Sequence, residues 1–180
     1  DGSTLSGETD SDGRFIIAGP AGLQTLVYEQ PGRLVVQREG TGASNSWASL
    51  EQVMLLPFDT KRSFIDLSAG GLQVHESTLI TDEFGSRKAT IVFDGITSAK
   101  VTSVDGYERN LNDFWFSATE YETPSSMPGI LPTDTVFTYC SELNVEGTRY
   151  NDTVTFNKNV VMFVDNFLEF EVGEIIPIGY

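Results

Sequence analysis

Thr90-Ile-Val-Phe93 runs into Asp94-Gly95, and Ala99-Lys-Val-Thr-Ser-Val104 runs into Asp105-Gly106. Each is a short strand-like run closed by a dipeptide that supplies the positive φ values of tight hairpin turns. The same pattern extends in both directions. Upstream, Phe15-Ile-Ile-Ala18 is bounded by Gly13 and by Gly19-Pro20, and Leu23–Tyr28 and Arg33–Gln37 flank a turn at Pro31-Gly32. Downstream come Asp113–Ala118, Val136–Val145, Thr153–Phe156, Val160–Val164 and Phe167–Val172. Several of these alternate apolar and polar residues, which puts one face inward and the other outward. Many short strands, with turn signals roughly ten residues apart, indicate a β-sandwich.

The expected fold class is therefore all-β: one or two immunoglobulin-like β-sandwich units with little or no helix. Ser46–Leu56 comes closest to a helical stripe, and it reads equally as a strand leading to Pro57. Two units are expected, 1–60 and 61–180, with Gly70-Gly71 as a turn rather than a boundary. The inward face of the larger unit is assigned to Phe93, Trp115, Phe137, Tyr139, Phe156, Phe163, Val164, Phe167 and Phe170.

The 180 residues carry 26 acidic and 11 basic side chains, a formal net charge of -15. With 12 Phe, 6 Tyr and 2 Trp spread along the chain, a hydrophobic core is within reach. The charge argues against nucleic acid, because no three consecutive residues are basic and a phosphate backbone needs a basic patch. It argues equally against anionic lipid. No run reaches the ~18 apolar residues that span a bilayer, so no membrane insertion is expected. Cys140 is the single cysteine, which rules out an intrachain disulfide; it reads as a buried, inert thiol. The abrupt start at Asp1-Gly2-Ser3-Thr4 suggests a processed product or an excised fragment.

Five features are motif-like. Thr9-Asp10-Ser11-Asp12-Gly13 has the Asp-x-Asp-Gly spacing that opens many calcium loops, since carboxylates and a Gly turn can wrap a hard cation. An EF-hand would also need a flanking helix, and the alternative is an Asp/Gly hairpin turn. Calcium through Asp10 and Asp12 is thus the one candidate cofactor. Glu120, Glu122 and Asp134 lie near the aromatic segment Trp115–Tyr121, a carboxylate pairing that suggests glycoside hydrolysis; a solvated strand edge is the plainer reading. His75 precedes Glu76-Ser77, but no nucleophile elbow or oxyanion loop accompanies it. One His with one Cys does not make a zinc set, so a packed or exposed structural His is expected. Asn151-Asp152-Thr153 is a glycosylation sequon, and Trp47 and Trp115 are either sugar platforms or packing residues.

Ala118-Thr-Glu-Tyr121, Met127-Pro-Gly-Ile-Leu-Pro132, Phe137-Thr-Tyr139, Glu142-Leu143, Phe156, Val164-Asp-Asn-Phe-Leu168, Phe170-x-Val-Gly173 and Ile176–Tyr180 resemble a block upstream of the YD repeats in large bacterial Rhs-family proteins. Gly2–Phe15 resembles the second half of a carboxypeptidase-regulatory-like β-sandwich, a module of the same proteins, and Leu55–Asp59 resembles the connector after it. The likeness is strongest over residues 118–180. In the carboxypeptidase-regulatory-like module the Thr-Asp-x-Asp-Gly-x-Phe segment is a turn into a strand. The chain lacks the repeats and any C-terminal toxin, so toxin delivery does not carry over, and no catalytic residue does either. What the resemblance implies is an extracellular, β-rich structural region.

The leading expectation is a non-catalytic structural or interaction module of a larger bacterial surface protein, secreted or at the cell surface. Its partners would be neighbouring domains or identical subunits. One alternative is a filament subunit, in which a terminal segment such as Asn166–Tyr180 completes the open edge of a neighbour's first sandwich by β-strand addition. Asn166, Phe167, Phe170 and Tyr180 are the candidate interaction residues. The other alternative is a calcium- or carbohydrate-binding sandwich.

Overall fold

The structure, a computed structural model, describes residues 5–131 and 135–177. Among these the chain forms thirteen strands and a single 3-10 turn, Pro124–Ser126, so it is all-β. No described helix is long and apolar enough to cross a membrane. Two compact units divide the chain: residues 1–56 with 123–137, and residues 57–122 with 138–180.

The first unit has one two-stranded sheet. β1 (Gly22–Tyr28) and β2 (Val36–Gly42) pair antiparallel from Gly22↔Gly42 to Tyr28↔Val36. The link turns at Gly32, whose φ of 77° needs glycine. Gly40 has a different role. A Cβ there would lie 2.6 Å from Leu50 Cδ2, so the missing side chain leaves room for that leucine. Leu34 and Val36 are buried. Arginines hold the rest. Arg33 donates to the Leu55 carbonyl at 2.7 Å, and Arg38 donates to the carbonyls of Met127 and Ser125 at 3.1 and 2.8 Å. The Leu34 and Gln37 amides bond the carbonyls of Leu56 and Pro128. Irregular backbone is thus satisfied without a sheet. Two expectations fail here. Phe15–Ala18 pairs with nothing as a strand; its Phe15 ring instead meets Tyr28 edge-on at 5.8 Å. Ser46–Leu56 is neither helix nor strand.

The second unit contains β3 (Ser63–Asp66), β4 (Gln73–Glu76), β5 (Ile80–Asp82), β6 (Gly85–Arg87), β7 (Ala89–Phe93), β8 (Ala99–Thr102), β9 (Glu108–Leu111), β10 (Asp113–Glu120), β11 (Ser141–Val145), β12 (Thr153–Phe156) and β13 (Val161–Val164). All pairings are antiparallel. Three sheets, in the orders β11-β10-β3, β12-β8-β9 and β13-β7-β4, accompany a β5–β6 hairpin. The three sheets turn their inner faces onto one core: Ile65, Ala89, Ile91, Phe93, Val101, Leu111, Phe114, Phe116, Ala118 and Val145 are all buried in it. Phe93 meets Phe116 and Phe114 edge-to-face at 5.3 and 5.8 Å. Such pairs add ~0.5–1.5 kcal/mol each beyond the area they bury.

Asp105-Gly106 closes the β8–β9 hairpin, with Gly106 at φ 84°. Asp94-Gly95 does not make a hairpin, because β7 and β8 belong to different sheets. It forms a corner, where Asp94 Oδ1 caps the Ile96 amide and the Thr97 hydroxyl. Gly95 is there for space: a Cβ would come within 2.2 Å of the Gly71 nitrogen. Gly70-Gly71 turns between β3 and β4, as expected, with φ of 68° and 87°.

The assigned inward face is corrected in part. Phe93 is buried, and Tyr139 and Phe156 pack on the core, but Trp115 is 43% exposed and Phe163 is 59% exposed. In β10 the inward set is Phe114, Phe116 and Ala118. A shift of one residue moves a strand's whole side-chain set to the other face. The expected strand Phe167–Val172 is a pair of turns instead. There the Asn166 side chain donates to the Phe170 carbonyl at 2.8 Å and accepts from its amide at 3.0 Å, and Glu169 sits at φ 56°.

Candidate functional site

The densest buried charge in the second unit centres on Arg87, at the end of β6. Its Nη1 and Nη2 donate to both oxygens of Asp82 at 3.0 and 2.8 Å, across the β5–β6 turn. Its Nε donates to Glu120 Oε1, at the end of β10, at 2.7 Å, and Nη2 reaches the same oxygen. Only 4% of the Arg87 side chain and 6% of the Glu120 side chain are exposed. The Phe167 ring covers the guanidinium, 4.5 Å from its centroid, and packs beside Gly85. The Asp82 hydrogen bonds raise the Arg87 pKa, and the Arg87 hydrogen bonds lower that of Asp82. Burial raises the Glu120 carboxyl while Arg87 pulls it back.

This arrangement answers the carboxylate expectation chemically. Hydrolysis by paired carboxyls needs two of them across a substrate gap, one free to give a proton. Glu120 is instead committed to a bidentate-capable arginine, and Glu122 is exposed. Asp134 lies outside the described residues. The sequence flagged Glu120 and Phe167 separately, and the fold brings them together on Arg87. Neither Arg87 nor Asp82 was singled out. The available signal was Asp82-Glu-Phe-Gly85 between Ile80 and Arg87, a tight turn with opposite charges on its two arms.

His75 on β4 is fully buried. Its Nδ1 lies 3.0 Å from Ser63 Oγ, and its ring meets Phe116 edge-on at 5.2 Å. Nε2 is buried with no hydrogen-bond partner among the described residues. Burial lowers its pKa, which keeps the ring neutral. Asp59 accepts from the Thr78 amide and hydroxyl at 2.7 and 2.6 Å and from the Lys61 amide at 2.8 Å. Its hydrogen bonds thus go elsewhere than the imidazole. A serine–histidine contact exists, but among the described residues no carboxylate bonds the other ring nitrogen, as the orienting acid of an activated nucleophile would. Burial also raises the Cys140 thiol, with Glu142 adding to the effect, which disfavours the reactive thiolate.

Asp10 and Asp12 sit in a closed turn. Asp10 Oδ1 accepts from the amides of Asp12 and Arg14, both at 2.9 Å, and Asp12 pairs with Arg14 at 3.3 Å. Gly13 turns the chain at φ 75°. Among the described residues no three His, Cys, Asp or Glu side chains gather as a metal-ion group would. Of the interaction residues, Asn166 stitches its own turn, Phe167 covers Arg87, Phe170 is half-buried, and Tyr180 lies outside the described residues. Trp47 is 85% exposed; Trp115 has Arg62 over its ring at 5.2 Å and Phe64 against its edge at 5.5 Å. A shallow depression of about 430 Å³ crosses β9, β8 and β12, lined by Leu67, Ala99, Leu111 and Phe156 as well as by Thr, Ser and Asn side chains. Asn157 at its rim is already bonded to the Ser98 amide and the Ile96 carbonyl.

No family model, no curated protein and no solved structure matches this chain.

Proposed function

We propose that the chain is a non-catalytic structural and interaction module of an extracellular bacterial surface protein, one that stands against neighbouring domains or identical subunits. The observation that carries this reading is the closure of the Asp82–Arg87–Glu120 cluster beneath Phe167. The buried Glu120 carboxylate is held by an arginine that is itself roofed by an aromatic ring. That use suits fastening a chain segment to a sheet and does not suit turning over a substrate. The chain's likeness to the β-rich region of Rhs-family proteins points the same way.

Labelling of intact source cells with a membrane-impermeant amine reagent tests the location. Labelled chain is the expected result, and a chain found only in the cytosol would sink the reading. A panel of glycoside, ester and peptide substrates tests the chemistry. No turnover is expected, and turnover that disappears in Glu120→Gln would overturn it.

A further inference from the structure

We infer that the chain pairs with a second copy of itself through β13, antiparallel and about a two-fold axis at Met162. This goes beyond the proposed function and does not rest on it.

β13 is Val-Met-Phe-Val, the one strand of the thirteen described with no polar side chain. It is nevertheless an edge strand, since the sheet order is β13-β7-β4. Natural sheets blunt their edges with charges, Pro or bulges, because unpaired amides and carbonyls recruit another strand. Among the other edge strands β9 carries Glu108 and Arg109, β11 carries Glu142, β4 carries Glu76 and β3 carries Asp66, while β12 is uncharged but carries two threonines; β13 has neither charge nor hydroxyl.

The hydrogen-bond phase of the edge is fixed by its inner pairing. Val161 opposes Val92 and Phe163 opposes Thr90, and the Asp165 amide bonds the Lys88 carbonyl at 3.3 Å in the same phase. In an antiparallel ladder alternate residues point their main-chain groups to alternate sides. Val161 and Phe163 therefore face β7, while Met162 and Val164 turn their amides and carbonyls to the open side. Among the described residues no main-chain hydrogen bond reaches that side.

The side-chain phase agrees. Met162 packs on the core, and Val161 and Phe163 stand outward, 48% and 59% exposed. An axis through Met162 pairs its amide and carbonyl with those of the second copy's Met162. The same register sets Val161 against the second copy's Phe163 on the outer face, in line with Val92 and Val74 behind. Both phases are satisfied at once, and the result is one six-stranded sheet.

Charge supports the orientation. Lys158, which pairs with Asp94 in its own chain, precedes β13, and Asp165, which accepts from the Lys88 amide, follows it. Antiparallel pairing places the lysine of one copy diagonal to the aspartate of the other, whereas parallel pairing would set like charges side by side. The strand itself carries none of the chain's charged side chains.

Sedimentation of the whole chain over a concentration series should show a monomer–dimer equilibrium. Phe163→Lys should weaken it roughly tenfold by removing both Val161–Phe163 pairs. Val161→Lys combined with Phe163→Glu should restore it, because that register places each new lysine opposite a glutamate. Hydrogen exchange on the unmodified chain gives a readout that needs no variant. The Met162 and Val164 amides should slow with concentration, while those of Val161 and Phe163 stay protected throughout. A monomer at all concentrations overturns the proposal. So does open-ended polymer, or a dimer in which the Met162 and Val164 amides exchange freely.

Discussion

The two compact units order their chain by different means. The second unit closes three sheets on one apolar core, and its aromatic rings touch one another. The first unit buries Leu34 and Val36, has a single two-stranded sheet, and holds long irregular segments through arginine side chains on carbonyls. A two-stranded sheet alone is marginal in water. The lesson is that a short apolar inventory is supplemented by charge-assisted hydrogen bonds, each worth more than a neutral one but each depending on a single long side chain. The first unit should therefore fail locally and the second cooperatively.

The largest effect tests the cooperative half. Phe93→Ala removes the ring that meets Phe114, Phe116 and Phe156. It should cost about 3–5 kcal/mol, the usual range for deleting a core aromatic. Denaturant unfolding followed by near-ultraviolet circular dichroism would measure it. Hydrogen exchange should show strands of all three sheets losing protection together. Loss confined to β7 would break the contrast between the units.

A smaller effect tests the other half. Arg38→Leu removes the donors to Ser125 and Met127 while keeping much of the apolar stem. A loss of about 2 kcal/mol is expected from hydrogen bonds made by a charged group. It should appear as faster proteolysis within residues 123–131, with the second unit's exchange unchanged. Equal loosening of both units would show that the contrast is only apparent.

The same contrast explains what was legible in the sequence. Strands whose own residues alternate and whose turns are local could be read: β1, β7, β8, β10, β12 and β13 fall where the runs predicted them. Strands β3, β4, β5, β6 and β9 were not singled out, because Ser63-Phe-Ile-Asp66 or Gly85-Ser-Arg87 is too short and too polar to stand out without its partner. Phe167–Val172 has a strand's alternation, yet Asn166 captures the main-chain groups of Phe170 that a ladder would use. Asp94-Gly95 carries the hairpin signature, but the close approach of Gly71 is a tertiary fact. The Arg87 site was hidden for a related reason: Asp82 and Arg87 are near in sequence, whereas Glu120 and Phe167 reach them only through the fold.

Acid should separate the units further, through His75. Burial lowers the folded-state pKa below the ordinary 6.5, with Lys61 lowering it further and the carboxylates of Asp59 and Glu76 opposing. The unfolded chain therefore takes up the proton first. The second unit's stability is fully present above about pH 6.5 on this account and declines as pH falls below it. Exchange measured across pH 5–7 should show that decline in β4 and β7, and His75→Gln should flatten it. A flat profile in the unmodified protein would mean that the ring is reached by water and that the core is looser than its packing suggests.

The smallest effect has the opposite sign. Tyr121 donates to Glu142 Oε2 at 3.3 Å, but burial still raises the Glu142 carboxyl above its ordinary 4.5. A carboxyl with a raised folded-state pKa binds its proton more tightly when folded, so its ionised form withholds stability at neutral pH. Glu142→Gln keeps an oxygen for Tyr121 and removes that charge. A slight rise in melting temperature at pH 7 should follow, fading as pH falls toward 4.5, because the native glutamate takes up its proton above that value. A loss at pH 7 would instead make the Tyr121–Glu142 bond a net contributor in its charged form. The second unit would then lean on charge-assisted hydrogen bonding at Glu142 as well as at Arg87, and the contrast would narrow to one of core size.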